Sequence, residues 1–419
     1  MRRVLYLFPT EWDLRQLEAC RADWEGEYEV RFAEPSDADA PDDLDVLAYI
    51  EDVVARERGR VDGVTSSSDY PGATVAAAVA TELGLPGPRP EDVVRCSHKL
   101  LSRERQREAA PEAVPWFAGV RYDQAAQAEL EYPCFVKPVK GSFSQHARRV
   151  DSREELVRFL SRPSVADYCE RYLAIFNQLV EHWTPFQRDG RWFIAEGLLT
   201  GAQVTVEGYT QGGEVTLLGV VDSVMHPGTN SFARFDLPSR HPPERVEAMR
   251  ELAARVMRRM GLESAMFNME LVVDERDGHL SILEINPRIC GQFGDLYAKV
   301  HGTSGFRAQL DLAVGERPTF RRFAGPHGVA ASVPLRTFER VRVRRVPDEA
   351  DLRRLRELQP DTLVWLEASA GQLLDPEDPA EDGRSVRYAV LNLGAQDPKD
   401  LERRTAEARA TLELELGPA

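Results

Sequence analysis

The chain has 419 residues, 42% of them hydrophobic and 29% charged, fractions typical of a soluble globular enzyme of two to four domains, which excludes a mostly disordered chain and a small disulfide scaffold. The formal net charge of -16 argues against a nucleic-acid face or an anionic-membrane surface, since each needs a basic stripe. The most basic stretch, Arg336 to Arg356, is interrupted by Glu339, Asp348 and Glu349 and reads as a solvated face.

In chain order, Val4–Phe8 reads as a strand, Glu11–Ala22 as a helix, Glu29–Phe32 as a strand, Leu44–Arg58 as a helix, Val61–Thr65 as a strand and Ala73–Leu83 as a helix. Such alternation predicts a parallel, doubly wound, Rossmann-like unit. Its ligand crevice is expected where Ser66–Gly72 leaves the third strand. The acidic stretch Glu34 to Asp45 is expected to be a loop. Val4–Phe8 is too short for a signal-peptide core, and no later stretch reaches membrane-spanning length, so the expected location is cytoplasmic. Cys20, Cys96, Cys134, Cys169 and Cys290 form no CxxC pair, which predicts buried thiols in a reducing compartment and no zinc site.

Gly84-Leu85-Pro86-Gly87-Pro88 ends this pattern. A helix follows with Lys99, Arg103 and Arg107 on one face. Next come a strand Tyr132–Val136 ending at Lys137, a small-polar loop Gly141–His146, and a helix capped at Asp151 or Ser152. Only five of the 53 basic residues are lysines, and Lys99, Lys137 and Lys140 cluster here. A compact ammonium binds phosphate as a point charge, which the planar Arg fork does not replace. Lys140 is open between a phosphate contact and a solvated position, whereas Lys299 and Lys399 read as surface residues.

Four strands are predicted next: Leu179–Trp183, Trp192–Leu199, Val204–Tyr209 and Val215–Val224. Met225 to Arg234 reads as an irregular loop, either beside an acceptor substrate, with Arg234 holding a carboxylate and His226 nearby, or at the surface. A long helix Pro243–Met260 precedes a hairpin of Ala265–Val273 and Leu280–Ile285. Strand alternation puts Glu284 and Asn286 on one face, which Glu270 of the paired strand can reach. Two carboxylates and an amide oxygen are hard ligands suited to Mg²⁺ held together with substrate phosphates. Arg288 continues that face and would set a guanidinium where transferred phosphoryl charge develops. A mixed segment from about residue 325 finishes the chain.

From residue 1 to about 325 these motifs, in this order, resemble the ATP-grasp enzymes, especially the carboxylase-like and amino-acid-ligase-like branches. The resemblance implies a multidomain α/β and α+β chain, an ATP-grasp fold preceded by a Rossmann-like domain, divided at 1–95, 96–325 and 326–419. It implies that Lys99 and Lys137 contact ATP phosphates and that the Gly141–His146 loop, with Ser142 and Ser144, folds over them. Glu196 fits the adenine hinge, with Leu199 offering its backbone amide, and Glu181 is the rival hinge residue. Gln203 falls at the ribose position, where the family has an acid. Glu270, Glu284 and Asn286 match the ligands of Mg²⁺, or Mn²⁺ in its place, and Arg288 matches the arginine beside the transferred phosphate.

The function this implies is an ATP-dependent carboxylate–amine ligase, working through an acyl phosphate on small-molecule acids and amines, amino acids among them. Its partners would be those substrates, with no nucleic acid and no membrane, and a homodimer is compatible with it. A biotin-carboxylase-like enzyme is the alternative within the fold, but it expects a carrier Met-Lys-Met and a His-Gln-Lys stretch, and neither occurs. A nucleotide-binding module without turnover is the third, and it has no need of the full phosphoryl-transfer set.

Overall fold

The structure is a computed structural model and describes residues 1–34, 44–141, 145–377 and 385–419. Strand β1 (Arg2–Leu7) lies between β2 (Tyr28–Ala33) and β3 (Gly63–Thr65), parallel to both, as the alternation predicts. Helices α1 (Glu11–Ala19), α2 (Val46–Glu57) and α3 (Gly72–Leu83) make the connections and cover the sheet. Thr10 and Asp13 cap α1 reciprocally, each side chain accepting the other's backbone N–H. Most of the acidic stretch expected to be a loop lies outside the described residues.

Helices α4 (Pro90–Ser97) and α5 (Lys99–Ala109) lead into a four-stranded antiparallel sheet. It comprises β4 (Phe117–Arg121), β5 (Cys134–Pro138), β6 (Arg148–Val150) and β7 (Trp192–Glu196), in the order β4-β7-β5-β6. Helices α6 (Arg153–Leu160), α7 (Pro163–Asp167) and α8 (Ala174–Trp183) pack on it through Leu156, Phe159, Val165 and Phe176. Ser152 is the cap of α6 and accepts the Glu155 N–H. The predicted strand Leu179–Trp183 is instead the last turn of α8. Ile175, Phe176, Leu179 and Val180 are its buried residues, an i, i+1, i+4, i+5 pattern that makes one helical face. A five-residue window is too short to show that period. Glu181, exposed on the opposite side of α8, is thereby removed as a hinge residue.

The remaining strands are β8 (Ala202–Gln211), β9 (Glu214–Met225), β10 (Phe232–Leu237), β11 (Ala265–Val273), β12 (Leu280–Asn286), β13 (Val329–Thr337), β14 (Val341–Arg345), β15 (Leu363–Leu366), β16 (Leu373–Leu374), β17 (Val386–Ala395) and β18 (Glu415–Pro418). Eight of them form one antiparallel sheet in the order β12-β11-β8-β9-β10-β13-β17-β15, and β16-β14-β18 form a small separate sheet. Helix α9 (Pro243–Met260) covers one face, packing Met249, Leu252, Val256 and Met257 against Val206, Phe267, Met269 and Ile285. Helices α10 (Gly294–His301) and α11 (Gly305–Ala313) lie on the other. There Phe293 and Tyr297 meet Val221 and Phe235, and Phe306 and Leu310 continue into the N-terminal domain at Val4 and Tyr6. Strands β13, β15 and β17 extend the same sheet past residue 325, so a boundary drawn there cuts a continuous ladder. Helices α12 (Glu349–Leu358) and α13 (Pro398–Leu412) pack on that end. Among the described residues no helix is long and apolar enough to cross a membrane, and all five cysteines are free.

Candidate active site

The β11–β12 hairpin pairs Glu270 with Glu284 and Asn268 with Asn286, so all four side chains stand on one face. The Asn286 amide nitrogen is 3.5 Å from a carboxylate oxygen of Glu270 and 3.5 Å from one of Glu284. Burial and the facing Glu284 push the Glu270 carboxyl well above its ordinary pKa. Burial works the same way on Glu284, but Lys99 and Lys137 outweigh it and hold that group low. Two partly buried acids facing each other in such a pair are eased by a shared proton or a cation. Among the described residues no three His, Cys, Asp or Glu side chains converge on a metal position. A divalent ion at this hairpin would therefore take two carboxylates, the Asn286 oxygen and phosphate oxygens of a bound nucleotide, the donor set that suits Mg²⁺.

Two lysines stand by the pair, and a third lies beyond them at Asp69. Lys99, the first residue of α5, has its Nζ 3.3 Å from Glu284 Oε2 and donates to the Gly141 carbonyl at 3.2 Å. Lys137, on β5, reaches Glu196 Oε2 at 2.8 Å and the Leu283 carbonyl at 3.5 Å. Lys140 is buried, not solvated, and donates to Asp69 Oδ2 at 2.8 Å and to the Asp69 carbonyl at 2.9 Å. Asp69 belongs to the crevice loop after β3, and its other oxygen lies 3.4 Å from Arg288 Nε. Against the effect of burial, Lys140 and Arg288 hold the Asp69 carboxyl far below the usual range. The crevice loop of the Rossmann-like domain thus reaches the cations of the second domain directly. Ser142 and Ser144 lie outside the described residues. Lys399 is exposed as expected, but Lys299 is buried in a 2.7 Å ion pair with Asp295 one helical turn earlier on α10. A neutralising partner at i−4 is what lets that ammonium leave the surface.

The hinge residue differs from expectation in its role. Glu196 does end β7, but its carboxylate is buried and engaged at both oxygens, by Lys137 and by Arg103, whose Nε is at 2.7 Å. Burial opposes ionisation, yet the two cations pull the group down to about 2. Of the backbone that follows, the Gly197 N–H already donates to the Trp116 carbonyl at 2.9 Å. Arg103 also donates to the Ile282 and Leu283 carbonyls at 2.7 and 3.0 Å, tying α5 and β7 to the β11–β12 hairpin. Its i, i+4 spacing from Lys99 was the available signal. Gln203, expected at the ribose, gives its amide to Glu270 Oε2 at 2.7 Å. Where the chain enters β8, a Cβ on Gly201 would sit 2.0 Å from the Val273 carbonyl, so only glycine lets this segment pass the hairpin so closely.

Arg234 is not in a loop. It lies on β10, where Arg234 pairs with Val224 and Phe235 with Ser223. Ser223 faces Gln203, and Glu270 faces Thr205 on the same side. Alternation therefore puts Arg234 on the face opposite the hairpin acids, where it pairs with Asp236 at 2.5 Å. His226 stacks edge-on against Phe338 with ring centroids 5.0 Å apart. Neither residue joins the cluster. Sequence reasoning missed Asp69, which is partly buried, and Glu207, which is fully buried. Glu207 is pushed up to about 7 by burial.

An ATP-grasp domain family model matches residues 130–295. The y4rH protein of Sinorhizobium fredii, uncharacterised, is 27% identical over 236 residues. The match covers 55% of this chain and 44% of that protein, so it spans less than half of the relative's length. The fold is similar to that of the L-amino acid ligase of Bacillus licheniformis, with 18% identity, a TM-score of 0.74, and 100% of this chain and 99% of that one covered. It is also similar to the biotin carboxylase domain of the Hydrogenobacter thermophilus 2-oxoglutarate carboxylase, with 18% identity, TM-score 0.67, and 99% and 91% coverage. A third neighbour is N5-carboxyaminoimidazole ribonucleotide synthetase from Thermotoga maritima, with 14% identity, TM-score 0.64, and 100% of both chains covered. The segment that matches the ATP-grasp domain model carries Lys137, Glu196, Glu270, Glu284, Asn286 and Arg288, and the likeness of fold to these solved structures extends over the whole chain.

Proposed function

We propose that the protein is an ATP-dependent carboxylate–amine ligase that forms an amide through an acyl phosphate. The observation that carries this is the joining of two regions at Asp69. The acids of the hairpin, three lysines and Arg288 make a phosphoryl-transfer centre, and the Asp69 contacts to Lys140 and Arg288 open it onto the crevice of the Rossmann-like domain. A nucleotide-binding module has no use for that junction, whereas a ligase must bring an acid and an amine to the transferred phosphoryl group.

A carboxylate is a poor acceptor because its charge repels an amine lone pair and oxide cannot leave. Transfer of the γ-phosphoryl group to a carboxylate oxygen, with ADP departing, supplies phosphate as the leaving group. Lys99 and Lys137 would hold the ATP phosphates, and Arg288 would offset charge growing on the group in flight. Glu270, Glu284 and Asn286 would hold Mg²⁺, which neutralises phosphate charge when bound; Mn²⁺ accepts the same oxygen donors. The amine nitrogen then attacks the acyl carbon, phosphate leaves, and the nitrogen loses a proton. Positioning supplies most of that second step. The substrates fitting this chemistry are small acids and amines, amino acids included.

A screen of amino acids and small acids for ATP-dependent phosphate release tests the proposal. The expected products are ADP and phosphate, without AMP. An acid labelled with heavy oxygen in its carboxylate should pass one labelled atom to the phosphate. AMP with pyrophosphate, or unlabelled phosphate, would sink the acyl-phosphate route, and activity demanding bicarbonate with a biotinylated partner would replace it with a carboxylase. Lys137→Ala should weaken ATP binding by about 10- to 100-fold, from the loss of charge-assisted phosphate hydrogen bonds worth about 1.5–3 kcal/mol. AMP should be affected far less, and equal losses for both nucleotides by calorimetry would show that Lys137 does not serve the terminal phosphates.

A further inference from the structure

Glu207 plays no part in the chemistry above, yet it is among the most deeply buried polar side chains of the protein, with 0% exposure. It stands on β8 directly across from Asn268 on β11. A single oxygen, Oε1, accepts from the Asn268 amide nitrogen at 2.9 Å and from the Cys290 backbone N–H at 2.6 Å. The other oxygen is buried and makes no hydrogen bond of normal geometry, its polar neighbour being the Tyr297 hydroxyl. A buried carboxyl that is only partly met costs free energy, so an apolar residue would serve packing better at this position.

The two bonds at Oε1 lead to two different parts of the site. The Cys290 N–H belongs to the turn that follows Arg288. Asn268 passes the other bond on, since its side-chain oxygen accepts from the Asn286 amide nitrogen at 3.4 Å. The backbone N–H at 2.6 Å marks Oε1 as the carbonyl-type oxygen of the carboxyl, any proton lying on the other oxygen, so Oε1 accepts. Asn268 must therefore turn its nitrogen toward Glu207 and its oxygen toward Asn286. The Asn286 nitrogen has the Asn268 oxygen at 3.4 Å and the Glu270 and Glu284 oxygens at 3.5 Å each; a cation held by the two acids would take their oxygens from it, leaving the nitrogen to Asn268 and the oxygen to the cation.

We propose that Glu207 is the positioning residue of the nucleotide–metal centre, setting the amide orientation of Asn286 through Asn268 and holding the turn behind Arg288 with the same oxygen. This rests on the assignment of Glu270, Glu284 and Asn286 as the Mg²⁺–nucleotide site. Outer partners of metal ligands typically change metal affinity about 10- to 100-fold when removed, because they fix the orientation of the ligand. The role acts through Asn286, so it shows in metal dependence and not in nucleotide affinity as such.

The test is calorimetric binding of ADP with Mg²⁺ and with EDTA to the full chain and to Glu207→Gln, Glu207→Leu and Asn268→Leu. Glu207→Leu and Asn268→Leu should lower the enhancement of ADP binding by Mg²⁺ about 10- to 100-fold while leaving the affinity in EDTA unchanged. Glu207→Gln keeps an acceptor oxygen and should recover most of the enhancement. Folded Leu variants with the wild-type enhancement, or with equal losses in Mg²⁺ and in EDTA, would overturn the proposal. If Glu207→Leu does not fold, Asn268→Leu decides in the same way, since it breaks the relay and spares the Cys290 contact. A wild-type protein with no Mg²⁺ enhancement at all would instead overturn the metal-site assignment, an outcome distinct from failure of the Glu207 role alone.

Discussion

Glu284→Gln should lower ATP-dependent phosphate release by about a hundredfold or more at ordinary magnesium, the scale on which single groups that stabilise transition-state charge are felt. The substitution is nearly isosteric, and the hairpin register is set by backbone pairing and by the apolar residues packed on α9, so the thermal midpoint should move little. Two effects combine at the site. One charged ligand disappears, and Lys99, 3.3 Å away, loses its anionic partner. Glu270, no longer facing a second carboxylate, should ionise more readily, since that neighbour is one of the causes that hold its pKa up. Excess magnesium should therefore restore part of the rate. Wild-type turnover in this variant would remove the hairpin from any metal role.

Glu196→Ala should destabilise the protein by about 3–5 kcal/mol, the usual cost of deleting one partner of a buried ion pair and stranding the other. Here two cations are stranded at once, Lys137 and Arg103, and Arg103 is the largest fully buried side chain among the described residues. A lower denaturant midpoint should register the loss. The exposed Glu181→Ala should stay within about 0.5 kcal/mol of wild type. The sign with pH follows from the depressed group. Glu196 contributes its stabilisation fully above its unfolded pKa, near the ordinary carboxylate value, and loses it as pH falls through about 2. The acid limb of stability should accordingly flatten in Glu196→Ala. An unchanged midpoint together with lost adenine binding would return this carboxylate to direct contact with the base.

What the sequence by itself determined was local and periodic. Hairpin strand Ala265–Val273 and helix Pro243–Met260 are read to the residue because long segments state their period clearly. Strand alternation was enough to put Glu270, Glu284 and Asn286 on one face. Rare lysines in an arginine-rich chain marked Lys99, Lys137 and Lys140, each of which pairs with an acid, Glu284, Glu196 and Asp69 in turn.

What only the tertiary structure decided was which charge meets which. Asp69 and Lys140 are 71 residues apart, Arg103 and Glu196 are 93 apart, and Glu207 and Cys290 are 83 apart. No periodicity spans such separations. A carboxylate's role follows from its partners, so Glu196 could be placed at a strand end from sequence but not distinguished from a free hinge acid. Arg234 shows the same limit from the other side, because one residue of register decides which face of a sheet it serves. Burial settles the rest. Lys299 and Glu207 are ordinary charged letters in the sequence, and only packing from distant strands and helices takes the water away from them and makes each contact they form consequential.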